Sequence, residues 1–151
     1  MHQMTSFELQ HGAISIDSGI EYKDIGATAM PFDLTHTCTG TDSVVVAGNS
    51  YEASGNTTTG VTYDSVALTS RIWQKDSSNT YSARIWSLYN PTTGSAKTMT
   101  ISGTGSGRCA AISFSGCDVT SADAHVDATA SSNATSNAIS TNITTVNANA
   151  M

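Results

Sequence analysis

The chain has 151 residues, about the length of one domain, and a chain of that length buries roughly 70% of its unfolded surface. Only 12% of its residues are charged, and the Leu, Glu, Lys and Arg that favour helices are scarce, so the composition argues against a helical protein. The net charge is −6 and the six Lys and Arg residues are spread singly, which argues against nucleic acid or an anionic membrane surface as a partner.

The first third of the chain predicts extended structure. Phe7–Asp17 is a predicted strand, and residues 25–38 form a second extended segment that Pro31 interrupts. Val44–Ala47 is a continuous apolar run between turn signals, which predicts a buried strand.

A hairpin is predicted near the middle of the chain. Val61–Tyr63 and Val66–Leu68 are apolar segments separated by Asp64 and Ser65, a two-residue spacing that suits a tight β-turn. Ile72 and Trp73 continue the extended pattern until a polar loop begins at Gln74.

The stretch Tyr81–Tyr89 is predicted to be a central strand. One face is apolar except for Ser87 and includes Ile85, which we expect in the core. The opposite face still carries Trp86 and Leu88, so we expect loops or another chain to cover it.

The next segment supplies the remaining strands. Asn90–Gly94 predicts a turn, Thr98–Ile101 a strand, Gly103–Gly107 a mobile hairpin connection, and Cys109–Gly116 a second buried strand.

With nine or ten strands and no convincing helix, the sequence predicts an all-β protein. The expected fold is a two-sheet antiparallel β-sandwich, of jelly-roll or Ig-like type.

The C-terminal part has a different composition. Residues 1–118 are predicted to form the sandwich core, and residues 119–151 a polar extension that is partly strand-forming and engaged by neighbouring subunits. It has few large apolar residues, and the last ones able to enter a core are Ile139, Ile143 and Val146. The candidate protein-interface residues are Trp86, Leu88, Ile139, Ile143 and Val146.

Few residues form a pattern that predicts chemistry. Cys38, Cys109 and Cys117 are expected to be buried free thiols, with a disulfide from Cys38 to either of the others as the alternative. His36 and Cys38 have the spacing of two zinc ligands, but no C-x₂-C pair supports a site. The sequence therefore predicts no metal, no cofactor and no catalytic residue.

One aromatic residue suggests a glycan contact. Trp73 borders a polar loop, whereas most other aromatic residues lie at core-facing spacing.

Three motifs resemble a known family. They are VTYDSVALT at 61–69, IWSLYNP at 85–91 with Gly94, and AISFSGCD at 111–118. Together they resemble Ser/Thr-rich β-sandwich modules of phage structural proteins and bacterial surface proteins, over about residues 33–147. The chain departs from that pattern at Cys117 and at residues 119–122. Family members also continue past the segment equivalent to 141–148 into a further apolar strand, which implies that one sheet here accepts a segment from a neighbour.

The function that this resemblance implies is structural. A secretion signal begins with a basic region that is followed by an apolar one. The N-terminal sequence does not show this arrangement. We therefore expect a non-enzymatic phage capsid decoration (cement) protein, or a head or tail appendage, assembled in the host cytoplasm and exposed on the virion surface. Its expected partner is the major capsid protein or another virion protein.

We also expect a homo-oligomer. A trimer is expected only by analogy with the threefold symmetry common in capsid decoration.

The alternative function is that of a carbohydrate-binding or adhesion module of a secreted bacterial protein, which would be extracellular.

Overall fold

The computed structural model describes residues 13–52, 57–76, 78, 81–126 and 128–130, and at 22–28 and 52 it describes the backbone alone. Nine strands form two antiparallel sheets, and this part of the chain contains no helix, so the predicted β-sandwich is confirmed. No helix that could cross a membrane occurs within these ranges. The strands are β1 (Ser15–Ala29), β2 (Phe32–His36), β3 (Val44–Glu52), β4 (Thr57–Tyr63), β5 (Val66–Ala67), β6 (Thr69–Lys75), β7 (Tyr81–Tyr89), β8 (Lys97–Thr104) and β9 (Ser106–Ser115).

The strand order identifies the type of sandwich. One sheet has the order β1-β9-β3-β7-β6 and the other β2-β8-β4-β5. The pairs are nested, because β1 pairs with β9, β2 with β8, β3 with β7, and β4 with β5. One long hairpin wound over on itself has this nested pairing, and that arrangement is the jelly roll. Of the two predicted alternatives, the Ig-like one is therefore not adopted.

Local signals explain several strand boundaries. Asp64 and Ser65 have φ of 49° and 70°, as the two central residues of a type I′ turn require, and they join β4 to β5 as predicted. Pro31 separates β1 from β2, also as predicted, and the Met30–Pro31 peptide bond is cis. After Leu68 the chain passes from the four-stranded sheet to the five-stranded one.

Two predicted elements need correction. The predicted first strand, Phe7–Asp17, overlaps β1 only from Ser15, and its residues 7–12 lie outside the described residues. The predicted mobile connection Gly103–Gly107 is a one-residue corner at Gly105, where φ is 81° and the chain passes from β8 to β9. A Cβ at Gly103 would collide with the Thr57 carbonyl oxygen, so this glycine permits close strand packing.

The central strand β7 faces the opposite way from the prediction. It lies between β3 and β6, as a central strand should. However, Trp86 is 4% exposed and belongs to the core, Leu88 packs against the core, and Ile85 is 46% exposed. Arg84 lies on the same inner side as Trp86 and Leu88, where aromatic rings and hydrogen-bond acceptors hold it.

The core lies between the two sheets and draws on both. Fourteen buried residues form one cluster. The largest contributors from the four-stranded sheet are Phe32, Leu34, Tyr63, Met99 and Ile101, and those from the five-stranded sheet include Val45, Trp86 and Cys109.

Adjacent residues in β7 give a direct test of the orientation. Trp86→Ala is expected to lower the unfolding free energy by about 3–5 kcal/mol, because it removes a buried ring. Ile85→Ala is expected to cost less than about 1 kcal/mol, because the side chain is half exposed. Equilibrium denaturation of both variants measures the difference. A larger loss for Ile85→Ala than for Trp86→Ala would contradict the orientation of β7.

Candidate functional site

The most unusual surface is the outer face of the five-stranded sheet, the face turned away from the four-stranded sheet. Alternate residues of β3, β7 and β9 point there, and most of them are apolar. Its larger apolar residues are Ile16, Val46, Ile72, Ile85, Ile112 and Phe114, and Ile20 lies at an irregularity in the pairing of β1 with β9. Ile16 and Ile20 are 64% and 70% exposed. A soluble monomer usually covers a contiguous apolar face of this kind.

A shallow depression lies in the middle of this outer face. Its volume is about 340 Å³, and Ala83, Ile85, Arg108 and Ala110 are among the residues that line it. Its floor is low because Gly48, which pairs with Ile85 on one side and Ala110 on the other, has no side chain. A Cβ at Gly48 would meet no atom within 4 Å. The depression therefore has room for apolar side chains from outside the sheet.

Residues 121–126 cover a neighbouring part of the outer face through a polar tie that we call the latch. Arg71 forms an ion pair with Asp123 and donates to the Ala122 carbonyl oxygen. Arg71 Nε also donates to Ser87 Oγ at 2.7 Å, and Ser87 Oγ lies 2.8 Å from His125 Nε2. As a result Ser87, although on the outer face, is only 3% exposed.

The latch surrounds His125 with polar and charged groups. Ser87 Oγ accepts a hydrogen bond from Arg71 Nε and shares a second one with His125 Nε2, whose direction depends on the tautomer of the ring. Nδ1 is buried, and it has no hydrogen-bond partner among the residues described. Burial, and then the positive charge of Arg71, lower the pKa of His125. The ring is therefore neutral near pH 7.

The Ser87–His125 pair differs from a catalytic dyad. In a serine hydrolase a carboxylate orients the base through Nδ1, and the nucleophile is open to substrate. Here Asp123 binds Arg71 instead, and Ser87 is buried under the chain. This geometry suits a structural tie between the C-terminal segment and the sheet.

A second polar group, which we call the tryptophan stack, lies on the inner face near the edge strand β6. The Arg84 guanidinium carbon is 4.3 Å from the ring centroid of Trp86 and 4.7 Å from that of Trp73. Arg84 also donates to Ser70 Oγ and to the Thr58 carbonyl oxygen. Cation–π contacts and these acceptors compensate for placing a cation beside the core.

Trp73, the predicted glycan contact, belongs to this stack. It is 45% exposed, and Lys75 Nζ also lies 4.7 Å from its ring centroid. A sugar that stacks on Trp73 would have to compete with two cations for the ring. The geometry therefore gives little support to a glycan contact at this residue.

Other predicted residues are placed inside the protein. Cys38, Cys109 and Cys117 are free and buried, which agrees with the predicted thiols, and burial raises the pKa of Cys109 to about 12. His36 is 1% exposed, and its ring contacts Tyr63 edge-on. Across the described residues no group of three potential ligands is arranged for a metal ion.

Several residues of the outer face and the latch were not predicted. Sequence patterns did not indicate the latch, because Ser87 and His125 are 38 positions apart and belong to a Ser-rich chain. Ile139, Ile143 and Val146, predicted as interface residues, lie outside the described residues. A signal for the apolar outer face was present, since Val44–Ala47 and residues 109–112 are apolar at consecutive positions.

One carboxylate ties the start of β1 to the rest of the fold. Asp17 accepts hydrogen bonds from Thr39 N, Thr39 Oγ1, Gly40 N and Ser113 Oγ, at 2.6–3.1 Å. Burial alone would raise the pKa of Asp17, but the hydrogen bonds from Thr39, Ser113 and Gly40 outweigh it and lower the pKa.

Asp17→Asn is expected to lower the unfolding free energy at pH 7 by about 2 kcal/mol, because an amide cannot accept all four bonds. Asp33→Asn is a matched control, since Asp33 is exposed and accepts a bond from Thr100. Because the Asp17 pKa is lowered in the folded state, its contribution is present above pH 3.8 and is lost as the pH falls through the folded pKa. Equal losses for the two variants in denaturant melts would contradict this role.

Buried histidines predict a loss of stability in mild acid. Burial lowers the pKa of His36, against smaller opposing effects of Glu21 and Asp17, and the pKa of His125 is lowered as well. The unfolded chain therefore binds more protons below about pH 6.5. We expect the unfolding free energy to be highest above pH 6.5 and to fall as the pH approaches 5.

His36→Phe keeps a ring against Tyr63 without a titrating group. Its unfolding free energy is expected to change less between pH 7.5 and 5 than that of the wild type, as measured by urea melts. His125, whose pKa is also lowered, is expected to contribute to the remaining slope. An unchanged slope would show that His36 does not carry this pH dependence.

Comparisons of the chain with protein-family models, curated protein sequences and solved structures give no match. The resemblance to phage and surface β-sandwich modules therefore stays a prediction, and function has to be inferred from the surfaces described above.

Proposed function

We propose that this chain is a structural protein of a virus particle, either a capsid decoration (cement) protein or a head or tail appendage. In this role it binds the major capsid protein or another virion protein and is exposed on the particle surface. Jelly rolls occur in both capsid and lectin domains, so the fold is compatible with this role but does not establish it.

The observation that carries the proposal is strand β1. It is 15 residues long and lies at the edge of the five-stranded sheet, where it pairs only with β9 among the described strands. It also exposes Ile16 and Ile20. Proteins normally shorten, charge or cover such an edge, because its free N–H and C=O groups pair readily with another chain. Strand β1 also carries four charged residues and pairs irregularly with β9, so the support for an attachment surface comes from the length of this edge and from the exposed Ile16 and Ile20.

The rest of the surface supports this function over carbohydrate binding. The exposed ring of Trp73 is engaged by Arg84 and Lys75. A sugar site combines a free aromatic face with several convergent polar groups, and the tryptophan stack directs its polar groups inward. The net charge of −6 also suits contact with a protein better than contact with nucleic acid.

Particles produced from the genome that carries this gene provide the test. The purified protein should co-sediment with them, and mass spectrometry should find it at a fixed ratio to the major capsid protein. The double variant Ile16→Asp, Ile20→Asp should lose at least about tenfold in bound protein, because charges on both residues oppose docking of the edge. Val66→Asp is the matched control, since Val66 is 50% exposed on β5 in the other sheet.

Two results would overturn the proposal. One is absence of the protein from such particles, together with a genome that encodes no capsid protein. The other is strong binding on a glycan array that is lost in Trp73→Ala, which would favour the carbohydrate-binding alternative.

A further inference from the structure

We propose that acid releases the latch formed by residues 121–126. Protonation of the His125 ring detaches this segment from Ser87 and Arg71 and uncovers the part of the outer face next to β6 and β7, while both sheets stay folded. This inference concerns the isolated protein and does not rest on the proposed function.

The latch is attached to the sheet at few points. Its contacts with the sheet converge on Arg71 of β6 and Ser87 of β7. Arg71 binds Asp123 and the Ala122 carbonyl oxygen, and Ser87 Oγ lies 2.8 Å from His125 Nε2. Two further main-chain hydrogen bonds lie within the latch and do not involve a strand. Release of the segment therefore does not require a sheet ladder to open, and such local opening needs less free energy than global unfolding.

The surroundings of His125 suit a neutral ring better than a charged one. A protonated imidazole has two N–H donors and no acceptor. The Nδ1–H group would be buried where the residues described offer no acceptor. The Nε2–H group would meet Ser87 Oγ, which already accepts a hydrogen bond from Arg71 Nε at 2.7 Å. A buried, charged N–H group without an acceptor is costly, so protonation weakens the closed latch.

The charged groups that face the ring come from β6 and from the C-terminal segment itself. Burial has the largest effect and Arg71 adds to it, so both lower the pKa of His125. Asp123 and Asp118 raise that pKa by less. The Asp123 side chain is 82% exposed, so solvent screens its charge, and it is already paired with Arg71. The group that faces the ring from β7 is the uncharged Ser87.

Acid therefore favours the released segment. Once released, the ring lies in water, where a histidine has a pKa of about 6.5. Because its pKa is lower in the closed latch, the open form binds more protons, and the ratio of open to closed molecules rises as the pH falls below about 6.5. One group of this kind changes the ratio by at most about tenfold for each pH unit, and the change ends at the pKa of the closed form.

Release would change the outer face of the five-stranded sheet. Ser87 is 3% exposed under the latch, whereas Ile85, the next residue of β7 on this face, is 46% exposed. Opening the latch joins these two rows into one exposed surface. The core residues of the same strands, such as Trp86 and Val45, face the other sheet and stay buried. Acid thus enlarges the exposed outer face without unfolding the sandwich.

A spin label on the full-length protein measures the release. Thr129→Cys places a nitroxide at an exposed position four residues after His125, and the native cysteines are at most 4% exposed, so labelling is selective. In ¹⁵N-labelled protein at pH 7.5, the closed latch keeps the label near Ser87 and Arg71, and their amides should broaden relative to a sample with the label reduced. At pH 5 this broadening should fall at least about twofold.

Two results of that measurement would overturn the proposal. One is broadening at Ser87 and Arg71 that is the same at pH 5 and pH 7.5. The other is a fall that accompanies loss of the folded amide shifts of the four-stranded sheet, because the whole domain would then unfold and not the latch alone.

His125→Gln is the matched variant, because its side-chain amide can still bond to Ser87 Oγ but does not titrate. In the spin-labelled protein it should keep the broadening equal at the two pH values. His36→Phe removes the other buried titrating ring and should leave the pH effect intact. A pH effect that persists in His125→Gln, or one that disappears in His36→Phe, would overturn the assignment to His125.

The unsubstituted protein supplies a check that needs no variant. The proton resonances of the His125 ring should titrate with the same midpoint as the amide shifts of Ser87 and Arg71. If glutamine fails to keep the latch closed at pH 7.5, these midpoints decide alone, and different midpoints would overturn the proposal.

Discussion

The apolar residues on both faces of β3 and β9 are the constraint on which the rest of this structure depends. Their inward side chains, such as Val45 and Ala111, meet the four-stranded sheet in the core. Their outward side chains, such as Val46 and Ile112, are also apolar, and no second sheet lies over them in the part of the chain described. An antiparallel sheet with one solvated face would alternate apolar and polar residues, which these strands do not. The sandwich therefore needs a third layer, and the latched C-terminal segment supplies part of it.

The tryptophan stack explains how an apolar sandwich tolerates Arg84 on its inner side. The guanidinium lies beside two indole rings and donates to Ser70 and Thr58, while Trp86 Nε1 donates to Asn49 at 2.7 Å. Asn49 in turn donates to Thr58 Oγ1. The network joins β3, β4, β6 and β7, so it connects both sheets at one end. Shifting β7 by one residue would turn Arg84 outward and leave Asn49 without its indole donor, so this polar network helps to specify the register.

Much of the fold could be predicted from the sequence because it depends on local signals. Contacts between distant segments could not be predicted in this way. The limits of β7, the Asp64–Ser65 turn and the break at Pro31 all depend on neighbouring residues. The predicted orientation of β7 was wrong. Alternating residues define the two faces of a strand, but they do not show which face the other sheet covers. Arg84 made the true inner face look polar. The latch joins Ser87 to His125, and no local pattern indicates such a pair. The corner at Gly105 was missed because glycines that permit close strand packing have the same sequence pattern as glycines in a loop.

The edge of β1 and the outer face of its sheet are both incompletely covered, but they require different partners. An edge is satisfied by main-chain hydrogen bonds, which another extended chain supplies largely irrespective of its sequence. A face is satisfied by apolar contact, which depends on side-chain shape and on the absence of charge. Residues 121–126, which the latch holds, already cover the part of the face next to β6 and β7. The edge lies at the far side of the sheet from β6, where the latch is anchored, and carries Ile16 and Ile20. The latch therefore covers the sheet at the side opposite to β1, so cover of the face near β6 does not occupy the edge of β1.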